Sequence, residues 1–111
     1  MSENVGFAGQ ISPDQVTQVV EKGFKSIINN RPDFEGGSEQ PTSVQIESAA
    51  HDAQVQYVYQ PVVAGQITER DVQSFAEHFN QLPKPILMFC RTGNRSNNLY
   101  QLAKQMDLLD E

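Results

Sequence analysis

PILMFCRTGNRSNNLYQ, residues 85–101, decides the fold. Ile86, Leu87, Met88 and Phe89 form an unbroken apolar run. A strand with one wet face would alternate, so this run reads as a central parallel strand covered on both sides. The turn RTGNRS follows at once and opens onto NNLYQLAKQMDLL, where Leu99, Leu102, Ala103 and Met106 share one helical face. The chain's single cysteine, Cys90, stands at the junction of strand and turn.

Upstream, the same alternation repeats. VGFAGQI, residues 5–11, reads as a short strand. SPDQVTQVVEKG then carries Ser12 as N-cap, Pro13 at the first helical position, Gln15 to complete a capping box, and Gly23 as the stop. FKSIINN, residues 24–30, reads as a buried strand ending in the turn-forming set Asn29, Asn30, Pro32 and Asp33. DFEGGSEQP continues as an open loop. TSVQIESAAHDAQ is a predicted helix with a second capping box from Thr42 to Gln45, and VQYVYQPVV is a strand that Pro61 limits. Thr68, with Glu69 and Asp71 in the first turn, begins a helix whose apolar stripe is Val72, Phe75, Ala76 and Phe79. Pro83 and Pro85 end it. Strand and helix alternate four times over. The expected architecture is therefore one α/β domain over residues 1–111, with a mainly parallel sheet of four or five strands flanked by helices and ligands at the carboxyl ends of the strands.

Composition narrows the function. At 111 residues there is material for one core, and no apolar stretch approaches the roughly 20 residues that span a bilayer. The N-terminus has neither a basic region nor a long apolar segment, so a cytoplasmic protein without a membrane anchor is expected. A formal net charge of −6 argues against nucleic acid, whose binding needs clustered Lys and Arg. One cysteine and two distant histidines, His51 and His78, offer no metal-ligand spacing, and no cofactor is implied.

The chemistry gathers at Cys90. A nucleophilic thiolate needs its pKa brought below the free value of about 8.5, which a helix N-terminus and nearby guanidinium groups achieve. Successive N–H groups in a short turn converge on an anion, Gly93 allows positive φ or close approach, and Arg95 can curl back over the ligand in a bidentate grip. Ser96 can cap the helix or hydrogen-bond the thiolate. Arg91, Thr92, Gly93, Asn94 and Ser96 are thus the candidate anion-binding set around Cys90 and Arg95. A lone cysteine is more often a small buried side chain than a nucleophile; here the strand, Cys, loop, Arg and helix in sequence favour the nucleophile.

FCRTGNRS resembles the active-site loop of two cysteine-dependent groups, the tyrosine and dual-specificity phosphatases and the rhodanese-type sulfurtransferases. GFKSIINNRPD, PVVAGQIT and CRTGNRS, in that order, resemble the DUF442 family, the phosphatase-like domain of the beta-lactamase hydrolase-like proteins, over roughly residues 5–106. Members are also described as sulfur transferases. The resemblance implies a protein tyrosine phosphatase-like fold. Two departures bear on activity: Cys90 to Arg95 is C-x4-R with Phe89 before the cysteine, where phosphatases have C-x5-R and a histidine, and PVVAGQIT lacks the Asp that phosphatases use to protonate the leaving oxygen. CRTGNR matches the six-residue rhodanese loop. Glu69 and Asp71 are expected to complement a helix dipole. Arg31 and Asp33, on a loop leaving the same sheet edge, are candidates for support.

Sulfur transfer through a Cys90 persulfide, from thiosulfate or a small persulfide to a thiophilic acceptor, is the leading expectation, and a partner enzyme in sulfide or persulfide metabolism is a candidate partner. Phosphatase action on a phosphate ester through a cysteinyl-phosphate is the alternative. A non-catalytic anion-binding module is the third reading. Tyr57, Tyr59 and Tyr100 are expected in the core.

Overall fold

The computed structural model describes residues 4–111. Four strands, β1 (Val5–Ala8), β2 (Ser26–Asn29), β3 (Gln56–Tyr59) and β4 (Ile86–Phe89), form one sheet in the order β1-β4-β2-β3, every neighbouring pair parallel. A 3₁₀ turn (Pro13–Gln15) leads into α1 (Val16–Glu21), followed by α2 (Ser43–Asp52), α3 (Glu69–Gln81) and α4 (Asn94–Gln105). The four-stranded parallel α/β sheet expected from the alternation is present. The two interior strands are β2 and β4, whose residues are buried throughout.

Alternating side chains of the interior strands feed two cores. Ile27, Leu87 and Phe89 pack with Val16, Val19, Ile46 and Ala50 from α1 and α2. Ile28, Ile86 and Met88 pack on the other face with Val72, Phe75 and Phe79 of α3 and Leu99 and Ala103 of α4. Covering both faces explains why ILMF is uniformly apolar. All the expected capping boxes form, Ser12 with Gln15 and Thr42 with Gln45, and Thr68 with Asp71 adds a third.

The order of strands positions the site. The chain passes from β1 over to β2 and β3, then returns to insert β4 between β1 and β2. The connections leaving adjacent strands therefore part in opposite directions at the carboxyl ends of β4 and β2, and this divergence opens a crevice there. Cys90 is the first residue after β4, and Asn30 the first after β2.

One boundary differs from expectation. The helix after Cys90 begins at Asn94, with Gly93 in the left-handed region (φ 96°) at its N-cap. Arg95 and Ser96 thus belong to the first turn of α4, so Ser96 is not its cap. Gly93 is required there: its amide donates to Cys90 Sγ at 3.1 Å, and a Cβ would lie 3.4 Å from the Ala8 backbone.

Candidate active site

Cys90 is 1% exposed and sits in the wall of a cavity of about 530 Å³. Arg91, Thr92, Asn94, Arg95 and Asn98 line one side, and Ala64, Gly65 and Ile67 from the β3–α3 connection line the other. The cysteine backbone is fixed by its own amide donating to Ala8 O, and the loop by Gln10 N donating to Arg91 O. The expected cluster of Cys90, Arg91, Thr92, Asn94 and Arg95 is brought together on one cavity, with Gly93 and Ser96 buried immediately behind it.

Burial raises the Cys90 pKa, but hydrogen bonds from the Ser96 amide and hydroxyl and from the amides of Thr92 and Gly93 overcome it and leave the thiol below its ordinary value. This corrects the expectation that the arginines keep Cys90 ionised. They are not among its principal influences, and the Arg95 charge is already met by a carboxylate. The donors that do the lowering are those of the short turn and the α4 N-terminus.

That carboxylate is Glu35. Arg95 Nη1 donates to Glu35 Oε2 at 2.9 Å and Nη2 to Oε1 at 3.0 Å, while Nη1 also donates to Val62 O at 2.9 Å. Arg31 Nε donates to Glu35 Oε1 at 3.0 Å from the far side, and Arg31 Nη1 to Gln10 Oε1. The Arg95 guanidinium, its side chain 9% exposed, is thus clamped along its Nη1 side. Its Nε–H is buried without a partner among the described residues. The remaining edge, Nε and the second Nη2 hydrogen, has the geometry of a fork that could take two oxygens of an anion. Hydrogen bonding to Arg95, reinforced by Arg31 against a smaller effect of burial, holds the Glu35 carboxyl below its usual range.

A second buried hub lies behind the loop. Asn30, fully buried, donates through Nδ2 to Gln60 O at 3.0 Å and accepts the Ser96 hydroxyl at Oδ1, 2.8 Å away. Its backbone amide donates to Phe89 O and its carbonyl accepts from Val62 N. Asn30 therefore joins β2, β4, the loop that supplies Val62 O, and the first turn of α4. The Ser96 hydroxyl lies between Asn30 Oδ1 and the Cys90 sulfur and has one proton. The Asn30 amide nitrogen is committed to Gln60, so its oxygen accepts that proton while Cys90 is a neutral thiol, and an ionised Cys90 draws the same proton to sulfur, which is how the hydroxyl lowers the pKa.

The other candidates sit elsewhere. Arg31 does not line the cavity and does not pair with Asp33; it reaches the site indirectly, through Glu35 and through Gln10. Asp33 Oδ1 accepts from Ser43 N at 2.8 Å and Asp33 N donates to Tyr59 Oη, so this residue ties its loop to the start of α2 and to β3. Asp71 closes the Thr68 cap, and Glu69 faces Gln73. No carboxylate among the described residues lines the cavity. Tyr57 bonds Ser43 and Asn29, while Tyr100 packs on Phe7 and Phe79, both away from Cys90. No group of ligating side chains suited to a metal occurs among the described residues, and no helix there is long and apolar enough to cross a membrane. Glu35 and Asn30 went unread in the sequence because both lie in polar stretches that look like turns. Asn30 directly precedes Arg31, and neither residue is flanked by any motif that marks a hub.

Known proteins share this fold. The family model for the beta-lactamase hydrolase-like protein, phosphatase-like domain, matches residues 1–107. Beta-lactamase hydrolase-like proteins of Xylella fastidiosa and Agrobacterium fabrum are 33% and 36% identical over 107 residues. The match takes in 96% of this chain and 25% of each of theirs, so the chain spans about a quarter of the length of these relatives. Among solved structures, a candidate phosphatase from Neisseria meningitidis superposes with a TM-score of 0.86 at 33% identity, covering 96% of this chain and 75% of that one. A candidate phosphatase of the DUF442 group from Shewanella putrefaciens gives 0.80 at 22% identity, covering 99% and 69%. The core catalytic domain of the yeast PP-IP phosphatase SIW14 shares the fold with a TM-score of 0.71 at 13% identity, covering 99% and 67%.

Proposed function

The chain belongs to the phosphatase-like domain family of the beta-lactamase hydrolase-like proteins, and because no carboxylate among the described residues lines its cavity, we propose that it uses that scaffold for sulfur transfer through Cys90. The observation that carries this reading is the pairing of a thiol lowered by loop donors with a cavity free of carboxylates among the described residues. The thiolate attacks the outer sulfur of thiosulfate or a small persulfide. A new S–S bond forms at Cys90, the old one breaks, and its electron pair leaves on sulfite or on a thiolate. Both are stable anions that depart without a proton, so no general acid is needed. The Arg95 fork and the loop amides hold the anionic donor and then the persulfide. An acceptor thiolate, from a small molecule or a partner enzyme of persulfide metabolism, removes the outer sulfur and restores Cys90.

Phosphoryl transfer to Cys90 is the second reading. It is favoured by the fork, which suits two oxygens of a phosphoryl group, and by relatives described as candidate phosphatases. Glu35, the carboxylate paired with Arg95, is held ionised by two guanidiniums and so has no proton to give a leaving alkoxide.

Intact mass spectrometry separates the two. Thiosulfate is expected to add about 32 Da to the protein, discharged by cyanide and absent in Cys90→Ser. Efficient aryl-phosphate turnover with no such adduct would overturn sulfur transfer in favour of phosphatase action.

A further inference from the structure

The cavity is far larger than the anion its floor is built to hold. A tetrahedral anion of five heavy atoms fills the space of a few water molecules, each about 30 Å³. About 530 Å³ falls within the range of roughly 300–1,000 Å³ that accommodates whole organic ligands. The lining of the excess space is of two kinds. Ala64, Gly65 and Ile67 contribute a largely apolar surface, and Asn94 and Asn98, one helical turn apart on α4, contribute amides. At the same mouth stands Arg91. Its guanidinium is exposed and has no hydrogen-bond or ion-pair partner among the described residues, whereas Arg31 and Arg95 are both committed to Glu35. One cation of the cavity lining is thus already paired with a carboxylate, and a second, Arg91, is uncommitted.

We propose that Arg91 marks an outer subsite for a carboxylate, and that the sulfur acceptor is a low-molecular-weight thiol carrying one. The inference rests on the sulfur-transfer reading and specifies its substrate class. The acceptor lays its carbon chain along Ala64 and Ile67 and its carboxylate against Arg91, with Asn94 and Asn98 as neighbouring donors. Its thiolate then meets the outer sulfur of the Cys90 persulfide. The acceptor's sulfur bonds to that atom, the Cys90 S–S bond breaks, and the electron pair returns to Cys90 Sγ, so the product is the acceptor's persulfide. A chain with a net charge of −6 repels anions at long range, so any preference for an anionic acceptor has to arise from such a local cation.

The test begins with intact protein loaded by thiosulfate, followed by discharge with 3-mercaptopropionate, 2-mercaptoethanol or cysteamine at matched pH and ionic strength. Taking the ratio of discharge rates between acceptors, in wild type and in Arg91→Glu, cancels their intrinsic thiol reactivities. Wild type is expected to favour 3-mercaptopropionate over cysteamine more than Arg91→Glu does, the substitution shifting that ratio toward cysteamine by up to about fivefold, as one solvent-facing ion pair allows. The preference also shrinks as salt is raised. If Cys90 loads but the ratio is the same in wild type and variant, the acceptor inference is wrong and sulfur transfer stands. If thiosulfate leaves Cys90 unloaded, sulfur transfer itself fails, and the acceptor with it.

Discussion

Replacing Glu35 by Gln tests whether the cradle depends on a clamp that lies outside it. The carboxylate makes three charge-assisted contacts, at 2.9 and 3.0 Å to Arg95 and 3.0 Å to Arg31. Each is worth roughly 1.5–3 kcal/mol when well buried. Glu35 keeps 26% of its side-chain surface exposed, so solvent screening reduces the combined value to about 2 kcal/mol. For a chain of 111 residues that corresponds to a fall in Tm of about 8 °C. The functional effect is separate. Without the carboxylate the two guanidiniums face each other uncompensated, and the Arg95 fork loses its aim. A lost bidentate grip on an anion, about 2–3 kcal/mol, slows Cys90 loading by thiosulfate roughly 30- to 150-fold. The sign of the pH dependence follows from the lowered Glu35 pKa. Its stabilisation is fully present above the unfolded value near 4.5 and is lost as the pH falls through the lower folded value, so the Tm gap between wild type and Glu35→Gln closes in acid. Thermal melts from pH 7 to 3 and loading rates by intact mass measure both effects. A Tm fall with unchanged loading would refute the claim that Glu35 aims Arg95.

Ser96→Ala removes one hydroxyl that lowers the Cys90 pKa while keeping the Ser96 amide. The pH midpoint of alkylation by iodoacetamide is therefore expected to rise, and an unmoved midpoint would leave the hydroxyl with no part in thiolate stabilisation. Gly93→Ala forces a side chain into the left-handed region and a Cβ against Ala8, costing about 1–2 kcal/mol in denaturant melts and raising the same midpoint by disturbing the Gly93 amide bond to Cys90.

The sequence made the frame legible because its signals were local. Period-specific apolar runs, capping boxes at Ser12 and Thr42 and the uniform burial of ILMF each follow from a few neighbouring residues, and together they imply the parallel sheet and the place of Cys90. What stayed hidden is contact between segments distant along the chain. Glu35 and Arg95 are 60 residues apart and Asn30 and Ser96 are 66 apart. No spacing rule pairs a loop carboxylate in DFEGGSEQP with a guanidinium in RTGNRS. The start of α4 was misplaced for a related reason: a glycine N-cap offers no side-chain signal, so RTGNRS reads as a turn although its last three residues are helical.

The separation of the two halves of the chemistry gives the fold its bearing on function. In the proposed function, anion binding depends on β4, the turn and the first residues of α4, which Glu35 and Asn30 brace. Leaving-group protonation in a phosphatase depends on a different loop, here Val62–Gln66 and its flanks, which contributes Ala64, Gly65 and Ile67 to the cavity. Nothing in the bracing of the first part requires an acid in the second. A chain can therefore keep the whole cradle and give up only the reactions whose leaving groups need a proton. In the proposed function such a cradle serves substrates that depart as stable anions, and thiosulfate and persulfides belong to that set because their bond breaks at sulfur, where a thiolate is the stronger nucleophile.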